Sequence, residues 1–269
     1  MAADSLDVSK PLVVDLDGTL IRTDLLHETA SQFLTSHPLR VFELAGWLAR
    51  GRSHLKAQLA NHSSVDIDSL PLREPLVAWL REQRAAGRSL VLATASHRSL
   101  AEQVAQRLEL FDVVIGSDDD VNLKAEAKRA ELVKRYGERG FDYVGNEAAD
   151  LAVWKSAASA IVVSDSSSLI ARVRELGNLS RTFSGDAPSW PMALLRAMRP
   201  HQWVKNLLLF VPLLAAHRYD SPGSLLELLV AFFVFGLTAS SVYLLNDLVD
   251  VTSDRRHARK RKRPFAAGT

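Results

Sequence analysis

Two carboxylates stand two residues apart in Asp15-Leu16-Asp17-Gly18-Thr19, directly after the apolar run at 11–14. If that run is a strand, both acids reach the carboxyl edge of a sheet, where open α/β folds bind their ligands. Gly18 would let the backbone approach a phosphate closely. An isolated pair of this kind is more often a solvated loop, but three further groups follow it in order. Thr94, with Ser96 beside it, ends an apolar strand and offers hydroxyls to phosphoryl oxygens. Lys124, opening a helix after a loop, offers a cation against phosphate, and Lys128, one turn on, is the alternative. Gly145-Asn146-Glu147-Ala148-Ala149-Asp150 places an amide and a carboxylate at another strand end, where oxygen donors can hold a hard cation.

The elements that must position these groups are legible as alternating patterns. Strands are predicted at 11–14, 89–93, 111–115, around Tyr143-Val144 and at 161–163. Helices are predicted between them, at about 25–60, 74–86, 100–110, 124–136 and 151–160. Such alternation predicts an α/β fold with a parallel sheet covered on both faces. The stretch 176–197, with Gly177, Gly185, Pro188 and Pro191 among polar residues, reads as a linker.

The ordered set resembles the haloacid dehalogenase (HAD) superfamily of phosphatases and phosphotransferases, over roughly residues 10–175. The resemblance implies a HAD-like Rossmannoid domain at 1–175 with a helical cap at about 22–85. It implies Asp15 as the nucleophile that forms an aspartyl-phosphate, and Asp17 as general acid and then base. Thr94 and Lys124 would position the phosphate. Mg²⁺ would be held by Asp15, the backbone carbonyl of Asp17, Asn146 and Asp150. The family often has Asp where Asn146 stands, so weaker metal binding is expected. In the cap, Asp24, His27, Glu28, Arg50, Arg52, His54 and Lys56 are candidates for leaving-group contacts, though any one of them taken alone is more often part of a solvated helix face.

Composition divides the chain again. It has 269 residues and no cysteine, which excludes disulfides, a thiol nucleophile and cysteine-bound metal. Residues 196–269 hold 11 Lys and Arg against 5 Asp and Glu, and the remainder holds 22 against 26. A basic end suits an anionic surface or a phosphate-bearing ligand. Residues 224–245 carry one charge, Glu227, and are long enough to cross a bilayer. The apolar stretch 206–216 is shorter, and a second span is expected there, with 217–223 as the outer turn.

Beyond the apolar run, Asn246, Asp250 and Asp254 recur every four residues, which favours one helix face for three oxygen-bearing side chains. The pattern NDxxDxxxD resembles the first aspartate-rich motif of UbiA-type polyprenyl transferases. Arg199-Pro-His-Gln-Trp-Val-Lys205-Asn206 and Lys262-Arg263-Pro-Phe-Ala-Ala-Gly268 also look like that family, closest to the subgroup containing decaprenyl-phosphate phosphoribosyltransferase. The resemblance implies that Asn246, Asp250 and Asp254 bind Mg²⁺ and a diphosphate, with Lys205 and Arg263 on phosphate. It covers only 198–269, so the all-α transferase part is expected to be a fragment.

The expected whole is a membrane-tethered, Mg²⁺-dependent phosphatase fused to an incomplete transferase for polyprenyl phosphate or diphosphate lipids. A catalytically silent module that binds phosphometabolites for the transferase is the alternative. The expected partners are a phosphate-ester small molecule, the lipid and a membrane. The run of seven basic residues between Arg255 and Arg263 lacks interleaved aromatics, so no nucleic acid is expected. The N-terminus, MAADSLDVSK, is polar rather than a signal peptide, and the basic run follows the span. Together they predict a multi-pass protein of the inner (plasma) membrane, with the first domain in the cytoplasm.

Overall fold

The short apolar runs become strands in the computed structural model, which describes residues 7–118, 122–185, 190–217 and 222–268. The chain divides into two units, Met1–Asp186 and Ala187–Thr269. In the first, β1 (Leu12–Val14), β2 (Leu90–His97), β3 (Val113–Ser117), β4 (Asp142–Gly145), β5 (Ala160–Val163) and β6 (Leu179–Phe183) form one sheet in the order β3-β2-β1-β4-β5-β6. Every pairing is parallel. The chain order reverses across β1 and β4, and that reversal opens a crevice at their carboxyl ends.

Between and beyond the strands run α1 (Leu25–Ser36), α2 (Val41–Ala49), α3 (Arg52–His62), α4 (Glu74–Ala85), α5 (Arg98–Leu108), α6 (Glu126–Tyr136), α7 (Leu151–Ser156) and α8 (Ser167–Glu175). Period-two alternation divides the strand residues between two cores. Leu12, Val14, Leu90 and Leu92 face α4 and α5 through Leu76, Leu80, Leu100 and Val104. Val13, Val91, Tyr143 and Val162 face the other way, onto Leu132, Trp154, Leu169 and Val173. Burial on both faces explains why these strands read as continuous apolar runs.

α1 to α3 and the 3₁₀ turn Pro38–Arg40 make a helical insert shorter than the expected cap at about 22–85, because α4 packs on the sheet. Asp24 starts it by accepting the Leu26 N–H at 2.7 Å, an N-cap that satisfies an otherwise orphaned donor. Inside the insert, the Trp47 ring lies 5.1 Å from Phe33 and 5.4 Å from His62, centroid to centroid.

Two expectations need correction. The supposed linker from 176 contains β6, whose Leu179 and Phe183 pair with Ala160 and Val163. β6 is an edge strand with Arg181 and Thr182 exposed, so its composition is too polar to stand out. Arg181 nevertheless packs its guanidinium over Trp79 and Phe183.

The second correction concerns the apolar tail. The second unit contains α9 (Trp190–Met198), the 3₁₀ helix Pro200–Phe210, α10 (Val211–Ala215), α11 (Pro222–Val249), α12 (Val251–Arg256), the 3₁₀ turn Lys260–Lys262 and α13 (Pro264–Ala267). Two spans were expected. Among the described residues, only α11 is long and apolar enough to cross a membrane. Residues 206–216 instead divide between 3₁₀ turns and the five residues of α10, with Pro212 in its first turn. A five-residue helix rises only about 7.5 Å. The expected outer turn falls largely at 218–221, outside the described residues.

Candidate active site

β1 ends at Val14, and the Asp15 N–H donates to Val144 O of β4 at 3.0 Å, so the carboxylate emerges at the crevice. Gly18 turns the chain back with φ of +70°, a conformation that disfavours any side chain. A Cβ there would also lie 2.3 Å from the Asn146 amide nitrogen. The turn is clamped by Arg73, which is buried. Its Nη2 donates to Gly18 O at 3.1 Å and its Nε to Thr19 O at 3.1 Å. Its Nη1 donates to the carbonyls of Ser184 and Gly185, at 3.0 and 2.7 Å.

Asp15 is buried and meets Lys128, whose Nζ donates to its Oδ1 at 2.6 Å. Thr19 Oγ1 lies 3.2 Å from Asp15 Oδ2 and 3.0 Å from Asn146 Oδ1. Lys128 also donates to the Tyr143 hydroxyl at 3.0 Å and stands 4.0 Å from Asp150. Tyr143 in turn donates to Asp150 Oδ1 at 2.7 Å. The other Asp150 oxygen accepts the N–H groups of Asn146 and Glu147, at 3.0 and 3.1 Å. Asp17 accepts the Leu25 N–H at 2.8 Å on one oxygen. Its other oxygen accepts the hydroxyls of Ser96 and Thr94, at 2.6 and 3.1 Å.

Three clustered carboxyl groups face one buried ammonium. Burial, reinforced by Asp150 and Asp17 and opposed by Lys128, pushes the Asp15 carboxyl up to about 7. Burial, with Asp24 next, also raises Asp17 above the ordinary carboxylate range, against the hydrogen bonds it accepts. Burial alone would lower the Lys128 ammonium, but Asp15 and Asp150 hold it above its ordinary value. Burial and the same two acids raise the Tyr143 phenol, so it stays a donor.

Asp15, Asp17, Thr94, Asn146 and Asp150 therefore converge as expected, and Lys124 does not. Lys124 lies before the first turn of α6, half exposed, with its Nζ 3.9 Å from Glu147. One turn into the helix, Lys128 takes the inward position. Thr94 sits inside β2 rather than past it, and its hydroxyl is spent on Asp17. Sequence reading missed Tyr143 and Arg73. A phenol one residue before the valine and glycine that end β4 was the available signal for Tyr143. Nothing local marks Arg73, whose acceptors are 54 to 112 residues away. Of the cap candidates, Lys56 donates to Ala95 O at 2.6 Å, and burial lowers its ammonium against the pull of Asp17 and Asp24. Asp24 caps α1, Glu28 accepts the Thr23 hydroxyl at 2.6 Å, and Arg50 and Arg52 are exposed.

The acids of the second unit do not form the expected trio. Asp247 and Asp254 are buried, and Arg263 Nη1 donates to both, at 3.1 and 2.6 Å. Arg199 Nη2 lies 2.6 and 2.8 Å from the two oxygens of Asp247. Asn246, Asp250 and Lys205 are exposed. A four-residue repeat drifts about 40° per step on a 3.6-residue helix, whereas a seven-residue spacing drifts only about 20°. Asp247, near the end of α11, and Asp254, in α12, are seven apart and both turn inward.

A sequence model described as haloacid dehalogenase-like hydrolase matches residues 12–168. The uncharacterized protein y4nM of Sinorhizobium fredii is 39% identical over 266 residues, 98% of this chain and 51% of that protein. The C-terminal region is similar to decaprenyl-phosphate phosphoribosyltransferase of Mycobacterium tuberculosis, 51% identical over 79 residues, 28% of this chain and 26% of that one. The chain thus spans about half the length of the first relative and a quarter of the second. Among solved structures, a probable phosphoserine phosphatase from Vibrio cholerae superposes with a TM-score of 0.44 at 15% identity, over 62% of this chain and 60% of that one.

Proposed function

The chain belongs to the haloacid dehalogenase-like hydrolase family, and from that premise we propose that its first unit is a phosphatase that works through an aspartyl-phosphate and needs Mg²⁺. The observation that carries this reading is the buried pair Asp15 and Asp150 around Lys128 at the carboxyl edge of the sheet, with half-buried Asp17 beside them. Asp15 attacks the phosphorus atom, and its bond to phosphorus forms as the bond to the leaving oxygen breaks. Asp17, whose carboxyl burial raises above its ordinary range, gives that oxygen a proton and then takes one from the water that hydrolyses the acyl phosphate. Lys128 balances charge on the nucleophile and on the arriving phosphoryl group. Thr94 and Ser96 aim Asp17.

The donor set fits a hard cation: every candidate ligand is an oxygen, and the carboxylates outnumber the one buried ammonium. Asp15, the Asp17 carbonyl, Asn146 and Asp150 would hold it. Bound Mg²⁺ would offset repulsion between the carboxylates and the phosphate ester. The test is phosphate release from para-nitrophenyl phosphate with Mg²⁺ and after chelation by EDTA. Turnover that depends on Mg²⁺ is expected. Binding of phosphate esters without any release would favour the silent, regulatory module instead.

The raised Asp15 carboxyl adds a pH signature. Its ordinary value is 3.8, and in the fold it is about 7. Between these values the fold keeps a proton that the unfolded chain loses. The associated stability is full below 3.8 and is lost as pH rises through about 7. A metal that competes for that carboxylate should therefore raise the Tm more at about pH 8 than at about pH 5. Asn146→Asp adds a carboxylate beside Thr19 and should lower the Mg²⁺ concentration needed for half of this shift. An unchanged requirement would remove Asn146 from the metal set.

For the second unit we propose a membrane tether, multi-pass in the whole protein, with the phosphatase unit on the cytoplasmic side. Supporting this are the apolar α11 and the basic run that follows it. Its likeness to decaprenyl-phosphate phosphoribosyltransferase supports a UbiA-type part for polyprenyl phosphate or diphosphate, active only in a complete chain.

A further inference from the structure

α2 is apolar at every position but Glu43 and Gly46, and the fold covers only part of that apolar surface. Leu44 and Trp47 turn inward, with Trp47 against Phe33 and His62. Val41, Phe42, Ala45 and Leu48 remain exposed to solvent. Phe42 is 83% exposed, and Leu39, in the turn that leads into α2, is 92% exposed. A helix that is hydrophobic all round is normally buried in protein or in lipid, and large apolar side chains gathered at one exposed tip mark a contact surface.

Charge around the tip narrows the choice of contact. Arg50 and Arg52, at the far end of α2, are exposed. The one carboxylate within α2, Glu43, is held by Arg40 through bonds of 2.6 and 2.7 Å. An apolar ridge flanked by uncompensated guanidinium groups is complementary to an anionic bilayer surface, with the ridge among the acyl chains and the arginines at the phosphates. The same chain carries α11, a helix long and apolar enough to cross a bilayer.

We propose that Leu39, Val41, Phe42 and Leu48, with Arg50 and Arg52, form a lipid-docking tip that seats the cap in the headgroup layer of an anionic membrane. The proposal rests on the reading of α11 as a membrane helix. It does not depend on phosphatase activity.

The chain has no native cysteine, so a spin label introduced by substitution is unique. The full chain is reconstituted in phosphatidylcholine–phosphatidylglycerol vesicles with a label at Phe42→Cys, Lys134→Cys or Leu237→Cys. Position 42 is on the open face of α2, and Lys134 is an exposed residue on α6. Leu237 lies within α11. Relaxation by oxygen reports lipid, and relaxation by a water-soluble nickel chelate reports water. The expected result is an oxygen-to-nickel ratio several-fold higher at 42 than at 134, with 237 also in lipid. Water exposure at 42 with 237 in lipid overturns the docking tip and leaves the α11 reading intact. Water exposure at both overturns both. Shielding of 42 from both relaxants means that protein covers the tip, and also overturns the proposal.

Discussion

Asp15→Asn abolishes phosphate release, with turnover falling on the order of 10⁴-fold or more, because removing a covalent nucleophile leaves only positioning and charge effects. The substitution keeps the side chain's size and its place beside Lys128 and Thr19. Lys128 also keeps Tyr143 at 3.0 Å and Asp150 at 4.0 Å, so its charge is not stranded. The variant should therefore unfold cooperatively in urea, which separates lost chemistry from lost fold. Wild-type phosphate release by this variant would sink the aspartyl-phosphate reading. A contrast strengthens the test. Asp17→Asn removes a proton donor rather than a bond-forming atom, and such losses are typically about 10²–10⁴-fold.

The second large effect separates two lysines four residues apart. Lys128→Met keeps the aliphatic stem and deletes the ammonium that Asp15, Tyr143 and Asp150 surround. Breaking a buried ion pair from one side costs roughly 3–5 kcal/mol, because the remaining charge has lost both water and partner. Protonation of the carboxyl groups relieves that cost, so the deficit against wild type should shrink from about pH 8 to about pH 5. Turnover should fall about 10²–10³-fold, the usual cost of removing one preorganised group that stabilises charge. Lys124→Ala removes a half-exposed side chain 3.9 Å from Glu147. Its effect on stability should stay within about 0.5 kcal/mol. Paired urea titrations and phosphate-release assays at both pH values check this. Equal effects from the two substitutions would contradict the buried position of Lys128.

Much of the first unit was legible because its strands are buried on both faces. Leu12 to Val14, Leu90 to Ala93 and Ala160 to Val163 are apolar without interruption, and runs of that kind survive any error of one or two residues. β6 was missed because an edge strand alternates and borrows its apolar cover from Trp79 and Arg181. Asp15, Asp17, Asn146 and Asp150 were readable because each follows a strand. The choice between Lys124 and Lys128 was not. It turns on where the first turn of α6 starts, and helix boundaries are the least determined feature of a local pattern. Reading Asn246, Asp250 and Asp254 as one face went astray for a related reason. A four-residue repeat looks like a face when it is in fact a slow spiral.

The Arg73 guanidinium makes the catalytic turn depend on the far end of the first unit. One side of its fork holds Gly18 and Thr19, and the other holds Ser184 and Gly185, which follow the last strand. A protein cut at residue 175, where the family likeness fades, would lose β6 and both of the Nη1 acceptors. It would keep every residue of the Asp15 cluster. Each donor left buried and unpaired costs about 1–3 kcal/mol, more on a charged group. That load falls on the turn beside Asp15, the proposed nucleophile. A piece of this chain that keeps the whole Arg73 clamp must therefore run through Gly185.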